Sequence, residues 1–276
     1  MSGMSDANMM SRFRAALIAW RGWLITRRIH ATRAAAAREL RRNTALWQTL
    51  TAYLEKSTST GVGYNDYLAL HTHVRTHRPK EILECGTGVS TVVLAHALME
   101  NERETGIRGR VTSMEDKAEW LKAAEELLPE ALAPYVDLVL SPRVEDGWYI
   151  FRGVRYERLP DRAYEFVFVD GPDFHALSDE QLTFNFDLIR VVQRSDIPVY
   201  ALVDDRLSSS FVYQKVFGPE KARYSTRHRL CFIGPVTRRD LLGMESLKPC
   251  FIHSFRYFGA TVLDLRMQPR REVRPE

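Results

Sequence analysis

Six carboxylates fall where an alternating α/β chain puts the tips of its strands. Glu84 lies near the end of the apolar run EILEC (81–85), Glu115 and Asp116 follow RVTSM (110–114), Asp170 ends EFVFVD (165–170), and Asp204 and Asp205 close PVYALVD and the residue after it. Between the first run and the helical pattern STVVLAHALMEN stands the turn ECGTGVS, with Gly86 and Gly88 in it. Carboxylates gathered around a glycine turn attract a cation, accept ribose-type hydroxyls and can take a proton from a reacting group. They are a poor seat for a pyrophosphate. The dinucleotide fingerprint also fails, because Thr91 occupies the place of its third glycine, and no Gly-Lys-Ser/Thr follows for a phosphate loop.

The elements that must position these residues are legible as a change of period. From residue 80 onward, short apolar runs alternate with helical stretches: EILEC, RVTSM, VDLVL (136–140), EFVFVD and PVYALVD, with helices expected after the first two and over FVYQKVF (211–217). Such alternation predicts a parallel sheet with right-handed crossovers, whose ligands sit beyond the carboxyl ends of the strands. One link breaks the pattern. GWYIFRGVRYERLP has aromatic runs on either side of Arg152-Gly153 and predicts a β-hairpin in place of a crossover helix. YSTRHRLCFI and IHSFRYFGATVLDL are expected as two final strands, paired antiparallel at the far edge of the sheet. Upstream, residues 9 to 42 and 44 to 56 have helical periodicity, STSTGVGYND is a loop, and YLALHTHVRTHRP is a third helix stopped at Pro79.

This constellation resembles the class I S-adenosylmethionine-dependent methyltransferases, in their O-methyltransferase-like branch. The acid followed by G-x-G appears as ECGTGVS, the ribose-binding acid after the second strand as Glu115, and the fourth-strand motif as VDGP, over roughly residues 60 to 265. The resemblance implies a Rossmann-like three-layer α/β/α sandwich with a seven-stranded, mostly parallel sheet of order 3-2-1-4-5-7-6 and an N-terminal helical extension. It also implies S-adenosylmethionine as cofactor, held by Glu84, Gly86, Thr87, Gly88, Ser90, Glu115 and Asp170. That ligand carries a sulfonium and no phosphate, which suits an acidic rim.

Methyl transfer is an in-line displacement, so the protein mainly aligns the acceptor and removes its proton. Asp170 and His175 in VDGPDFH are the catalytic candidates. Catechol-type relatives hold magnesium with an Asp after strand four and an Asp-Asn pair after strand five. By that resemblance Asp170, Asp204 and Asp205 form a candidate Mg²⁺ site, although Asp205 replaces the Asn and Asp173 stands where a Lys is expected. Elsewhere, His73 and His77, four apart on a helix, are expected on a solvated face rather than in a zinc site. Cys85 is expected to be a small buried hydrophobe. Trp148, Tyr149, Phe151 and Tyr156 either line an acceptor cavity or pack the hairpin.

Charge divides the chain. Residues 1–43 hold nine arginines against Asp6 and Glu39, a net of +7, so a total of +4 leaves −3 for the rest. Residues 1–56 are therefore expected as a basic helical extension and 57–276 as the Rossmann-like domain. The arm's arginines and Trp20 and Trp23 suit peripheral membrane contact or packing on a partner or a second copy. No nucleic acid is expected, because the basicity is confined to the arm. Three widely spaced cysteines give no disulfide framework, which points to a reducing, cytoplasmic setting, peripheral at the inner membrane face if the arm binds lipid. The reading is a methyltransferase acting on oxygen of a small-molecule acceptor. Its rivals are a non-catalytic binding or assembly protein on the same fold, with the arm as its working part, and an aminopropyl transferase using the same seat.

Overall fold

The computed structural model describes residues 3–57, 63–245, 247–257 and 260–269, and side chains from residue 10 to 57 and 63 to 241. The chain divides into two compact units, Met1–Thr32 with Leu242–Glu276, and Arg33–Leu241.

The second unit carries the sheet. In chain order its elements are the end of α1 (Gly3–Leu40), α2 (Thr44–Leu54), α3 (Tyr64–His77), β1 (Glu81–Cys85), α4 (Val89–Thr105), β2 (Arg110–Glu115), α5 (Ala118–Leu127) and β3 (Val136–Leu140). There follow β4 (Arg143–Trp148), β5 (Phe151–Tyr156), β6 (Phe166–Val169), β7 (Phe184–Asn185), α6 (Asp187–Arg194), β8 (Val199–Val203), α7 (Leu207–Phe217), β9 (Ala222–Ser225) and β10 (Leu230–Val236). The seven-stranded sheet runs β3-β2-β1-β6-β8-β10-β9. Counted within that sheet this is the order 3-2-1-4-5-7-6, with β10 antiparallel to both neighbours and the other pairings parallel. The expected α/β architecture is the observed one.

Burial explains why apolar runs replaced alternation. Ile82, Phe166, Phe168 and Leu202 join one core with Leu46 and Leu50 of α2, Leu70 and Val74 of α3 and Val92 and Val93 of α4. The intervening residues Leu83, Cys85, Val167 and Val169 point to the opposite face and are equally inaccessible. Each such aliphatic side chain contributes about 1.5–3 kcal/mol of transfer free energy. From Val89 to Met99 every residue of α4 is buried, Ala95, Ala97 and Leu98 included, because helices and sheet enclose that part. Gly106, left-handed at φ 72°, ends it.

Four expectations need correction. The two strands that finish the sheet are β9 and β10, and both lie within 222–236, with YSTRHRLCFI supplying the turn between them as well as strand residues. The segment IHSFRYFGATVLDL belongs to a separate two-stranded sheet, β11 (Leu247–Tyr257) and β12 (Ala260–Pro269), which follows α8 (Arg238–Glu245). Its residues 258–259, like residues 58–62 of the expected loop, lie outside the described residues. The hairpin β4–β5 exists, but it turns at Tyr149-Ile150, with Tyr149 at φ 54°, and Arg152-Gly153 lies within β5. Of the two histidines expected on a solvated face, His77 is exposed, but His73 is half-buried, its ring stacked on Phe166 at 4.2 Å, and burial lowers its pKa to about 4.

In the first unit, α1 leaves Phe13, Leu17, Trp20 and Trp23 exposed. Arg14, Arg21 and Arg28 are exposed beside them, and Arg27 stacks on Trp23 at 5.3 Å. Among the described residues no helix is long and apolar enough to cross a membrane.

Candidate active site at the strand tips

The turn between β1 and α4 is built by close backbone approach. Gly86 adopts φ +98°, and a Cβ there would stand 3.0 Å from the carbonyl carbon and oxygen of Asp170 and from Gly171 N. The relation is mutual, because a Cβ on Gly171 would stand 2.7 Å from the N and Cα of Gly86. Only glycines allow the β1 and β6 tips to meet so closely. Gly88 caps α4, and its N–H donates to Thr91 Oγ1 at 3.1 Å.

Glu84 sits beneath this turn rather than on the rim. It is fully buried, and its Oε2 accepts from Ser113 Oγ and Thr91 Oγ1, each at 2.6 Å. Ser90 is buried beside the carboxyl, and Oε1 has no partner in hydrogen-bond geometry. Thr87 Oγ1 and Ser113 Oγ lie 2.9 Å apart and extend the network to the turn. Burial pushes the pKa of Glu84 up to about 7. Glu84, Thr91 and Ser113 thus brace the turn, and Glu84 does not reach the cavity above it.

Glu115, at the tip of β2, does reach it. Its Oε1 accepts from the main-chain N–H of Asp116 and Lys117, both at 3.1 Å, and its Oε2 from Thr87 N at 3.3 Å. A carboxylate has about four lone-pair directions, so this one is fixed in place with capacity left for a ligand hydroxyl. Burial raises its pKa. The cavity beside it, of about 300 Å³, is lined by Gly86 and Thr87, by Glu115, Asp116, Lys117 and Trp120, by Tyr156, by Asp170 to Phe174, and by Arg206. Four acidic side chains and two basic ones line it. Its volume lies at the lower end for small-molecule sites.

At the opposite wall Asp170 and Asp204 end the neighbouring strands β6 and β8. Their carboxyls are hydrogen-bonded to one another, and burial followed by mutual repulsion raises Asp170 well above the usual carboxylate range. Asp204 is raised by burial as well, so the pair holds a proton that separate aspartates would have lost. Arg206 braces Asp170 through its carbonyl oxygen and through Oδ1 at 3.4 Å, donates to Pro172 O at 2.9 Å and lies over the Phe174 ring.

The candidate magnesium set does not converge. Asp205 is turned to the β9–β10 hairpin, where it accepts from Tyr224 Oη at 2.5 Å and pairs with Arg229. Arg206 occupies the approach to Asp170. Among the described residues, the group of three with ligand atoms within 4.8 Å of one another is His71, His96 and Glu100, on α3 and α4. Asp170, Asp204 and Asp205 therefore do not fit a hard cation.

His175 also departs from expectation. Its Nδ1 lies 2.7 Å from Asp173 Oδ1, its ring stacks on Phe174, and it is absent from the cavity lining that Asp173 and Phe174 supply. Arg143 of β4 draws this loop together, donating to the carbonyls of Asp173 and His175 at 3.0 and 3.2 Å. Sequence reasoning missed Lys117, Trp120, Phe174 and Arg206. Arg206 had a signal, since it directly follows the acidic pair in ALVDDR. Tyr156 belongs to both of the expected roles, for it is buried in the hairpin, donates from Oη to Met114 O at 3.0 Å and lines the cavity floor.

No protein-family profile and no curated protein matches the sequence. Among solved structures, the chain is similar to the O-methyltransferase TomG from Streptomyces achromogenes in complex with SAM, at 18% identity over 84% of this chain and 86% of that one, TM-score 0.38. It is similar to a methyltransferase from Geobacter sulfurreducens, at 12% identity over 85% and 87%, TM-score 0.36. A third is the plantazolicin methyltransferase BpumL in complex with SAH, at 11% identity over 84% of each chain, TM-score 0.32. These likenesses are weak, and the roles of residues in this chain rest on its own geometry.

Proposed function

We propose that the Arg33–Leu241 unit is an S-adenosylmethionine-dependent methyltransferase that modifies an oxygen of a small-molecule acceptor. The observation that carries this reading is the convergence of the Gly86-Thr87 turn, Glu115 and Asp170 on one acid-rich cavity at the carboxyl ends of parallel strands. When bound there, the cofactor would supply a methyl group on a positively charged sulfur.

The residues fit such a group. The glycine turn offers close backbone approach, Glu115 accepts the ribose hydroxyls, and the predominance of acidic over basic side chains suits a cation better than a phosphate ester. Thr87 lines the cavity, whereas Glu84, Ser90 and Thr91 act from beneath by fixing the turn. Gly88 acts as the cap of α4. Asp170, oriented by Arg206, accepts the acceptor's hydroxyl proton once the cation bound beside it has made its pair with Asp204 release the shared proton. His175 stiffens the 170–175 loop through Asp173.

A second reading keeps the fold but not the chemistry, with the arm as the working part. The exposed Phe13, Trp20 and Trp23 among arginines favour contact with an anionic membrane surface or a partner. Calorimetry with S-adenosylhomocysteine separates the two. The enzyme reading expects binding that Glu115→Ala weakens at least about 100-fold, the loss of two hydrogen bonds to a charged group. Tight binding indifferent to that substitution removes the assigned ribose contact, and no binding at all leaves the second reading.

A further inference from the structure

Away from the strand tips, a second set of ligating side chains meets where α3 packs on α4. His96 and Glu100 stand four apart on α4 and so share one face of it. His71 of α3 joins them, its Nε2 2.8 Å from Glu100 Oε2. His96 Nδ1 lies 3.5 Å from Glu100 Oε1, and the ligating atoms of all three residues lie within 4.8 Å of one another. Zinc bonds of about 2.0–2.2 Å in a tetrahedron place neighbouring ligand atoms about 3.3–3.5 Å apart. Small side-chain adjustments bring the three to that spacing.

One atom of the cluster is left over. His96 is 2% exposed, yet its Nδ1 makes no hydrogen bond despite the carboxylate nearby. A buried nitrogen without a partner is costly, and an ion bound to its lone pair removes that cost. Burial also disfavours the protonated imidazole, and ligation requires the neutral one. Glu100 supplies the negative charge. Burial works against its ionisation, but hydrogen bonds from His71 and from Asn43 Nδ2, the latter at 2.6 Å, hold its pKa down to about 2.

Arg75 does not close the site. Its Nε stands 3.2 Å from Glu100 Oε2, while its terminal nitrogens are turned to Asn101 Oδ1 and to Glu104, which shares its charge. A carboxylate has about four lone-pair directions, and Asn43 and Arg75 take two of them. Both hold Glu100 in orientation from outside, as the outer partners of a metal ligand do. The side chains of His71 and Glu100 are 15% and 18% exposed, so an ion can enter from solvent.

We infer that His71, His96 and Glu100 form a zinc site that pins α3 to α4, with water in the fourth place. Two imidazoles and one carboxylate suit Zn²⁺ or a neighbouring transition ion rather than Mg²⁺ or Ca²⁺. None of the three residues lines the strand-tip cavity, so the ion stabilises the helix pair and takes no part in the chemistry there. The site stands or falls independently of the methyltransferase reading.

The test is titration of the chelator-stripped full chain with zinc chloride, by calorimetry and by melting temperature. The expected result is saturable binding with a Kd of about 10 μM or tighter and, with zinc in excess, a melting temperature raised by at least about 4 °C. His71→Gln and Glu100→Gln should each weaken binding at least about tenfold and remove most of the thermal shift. Copper(II), a probe for the same ligands, should show nitrogen hyperfine splitting from two imidazoles in the parent and from one in His71→Gln. Circular dichroism of the zinc-free variants shows that they are folded. His71→Gln keeps a donor facing Glu100 and decides alone if Glu100→Gln does not fold. Binding weaker than that limit, a zinc affinity that survives either substitution in a folded variant, or a copper spectrum that His71→Gln leaves unchanged overturns the inference. Binding of S-adenosylhomocysteine should be the same with and without zinc.

Discussion

Asp170 and Asp204 stand carboxyl to carboxyl at the tips of adjacent parallel strands, joined by a hydrogen bond and locked in register by Asp204 N donating to Val169 O at 3.0 Å. Both are raised by burial, so the unliganded pair holds its proton to higher pH than free aspartates do. A cation bound beside the pair favours ionisation. Binding of S-adenosylmethionine therefore releases protons and tightens as pH rises through the pair's titration, whereas S-adenosylhomocysteine, without the sulfonium charge, shows a flatter dependence. Calorimetry in two buffers of different ionisation enthalpy measures the release, and an equal proton count for the two ligands refutes the idea.

Gly86→Ala tests the seat itself. The new methyl group meets main-chain atoms of Asp170 and Gly171 at 3.0 Å, and φ +98° is strained for alanine. The substitution should cost about 1–3 kcal/mol of stability and remove S-adenosylhomocysteine binding. A thermal shift assay reads the first effect and titration the second. Unchanged values for both mean the turn is not where the ligand lies.

Glu84 predicts a particular slope of stability with pH. Its pKa in the fold is about 7, above the 4.5 it has when exposed, so the folded chain binds the extra proton between those values. Its contribution is complete below pH 4.5 and is lost as pH rises through 7. Glu84→Gln, a neutral isostere, should flatten the denaturant-derived stability curve over that interval and be more stable relative to the parent at pH 8 than at pH 4.5. A parallel pair of curves would mean that the carboxyl is already ionised in the fold.

Chelation should leave the strand tips indifferent. Asp205 is engaged by Tyr224 and Arg229, and Arg206 lies against Asp170, so no hard-oxygen set forms there. Exhaustive EDTA treatment is expected to change neither S-adenosylhomocysteine affinity nor turnover on an oxygen acceptor. A rate restored by added Mg²⁺ would require Asp205 to swing back to Asp204.

The sheet could be read from the sequence because buried parallel strands leave apolar runs, and EILEC, EFVFVD and PVYALVD are such runs. Glu115 and Asp170 were legible for the same reason, since a charge at the end of a run marks its tip. Depth was not. Nothing in ECGTGVS says that Glu84 points down to Ser113 and Thr91 while Glu115, 31 residues later, points up. That depends on strand pleat and on the register Glu84↔Ser113. The hairpin turn was misplaced because Arg152-Gly153 has turn composition, but Gly153 serves to admit Phe184 at close range. Asp205 was grouped with Asp204 by resemblance to an Asp-Asn metal pair, although neighbours after a strand point in different directions.

The interlocked glycines of the β1 and β6 tips carry one more implication. Neither Gly86 nor Gly171 can gain a side chain without striking the other's backbone, so the two strand ends behave as a single rigid plate. A plate of that kind neither bends to admit a guest nor tightens around it. Adjustment to different guests then falls to the outer wall around Lys117 and the half-open Trp120, where substitutions should alter how fast ligands come and go while the floor keeps their orientation.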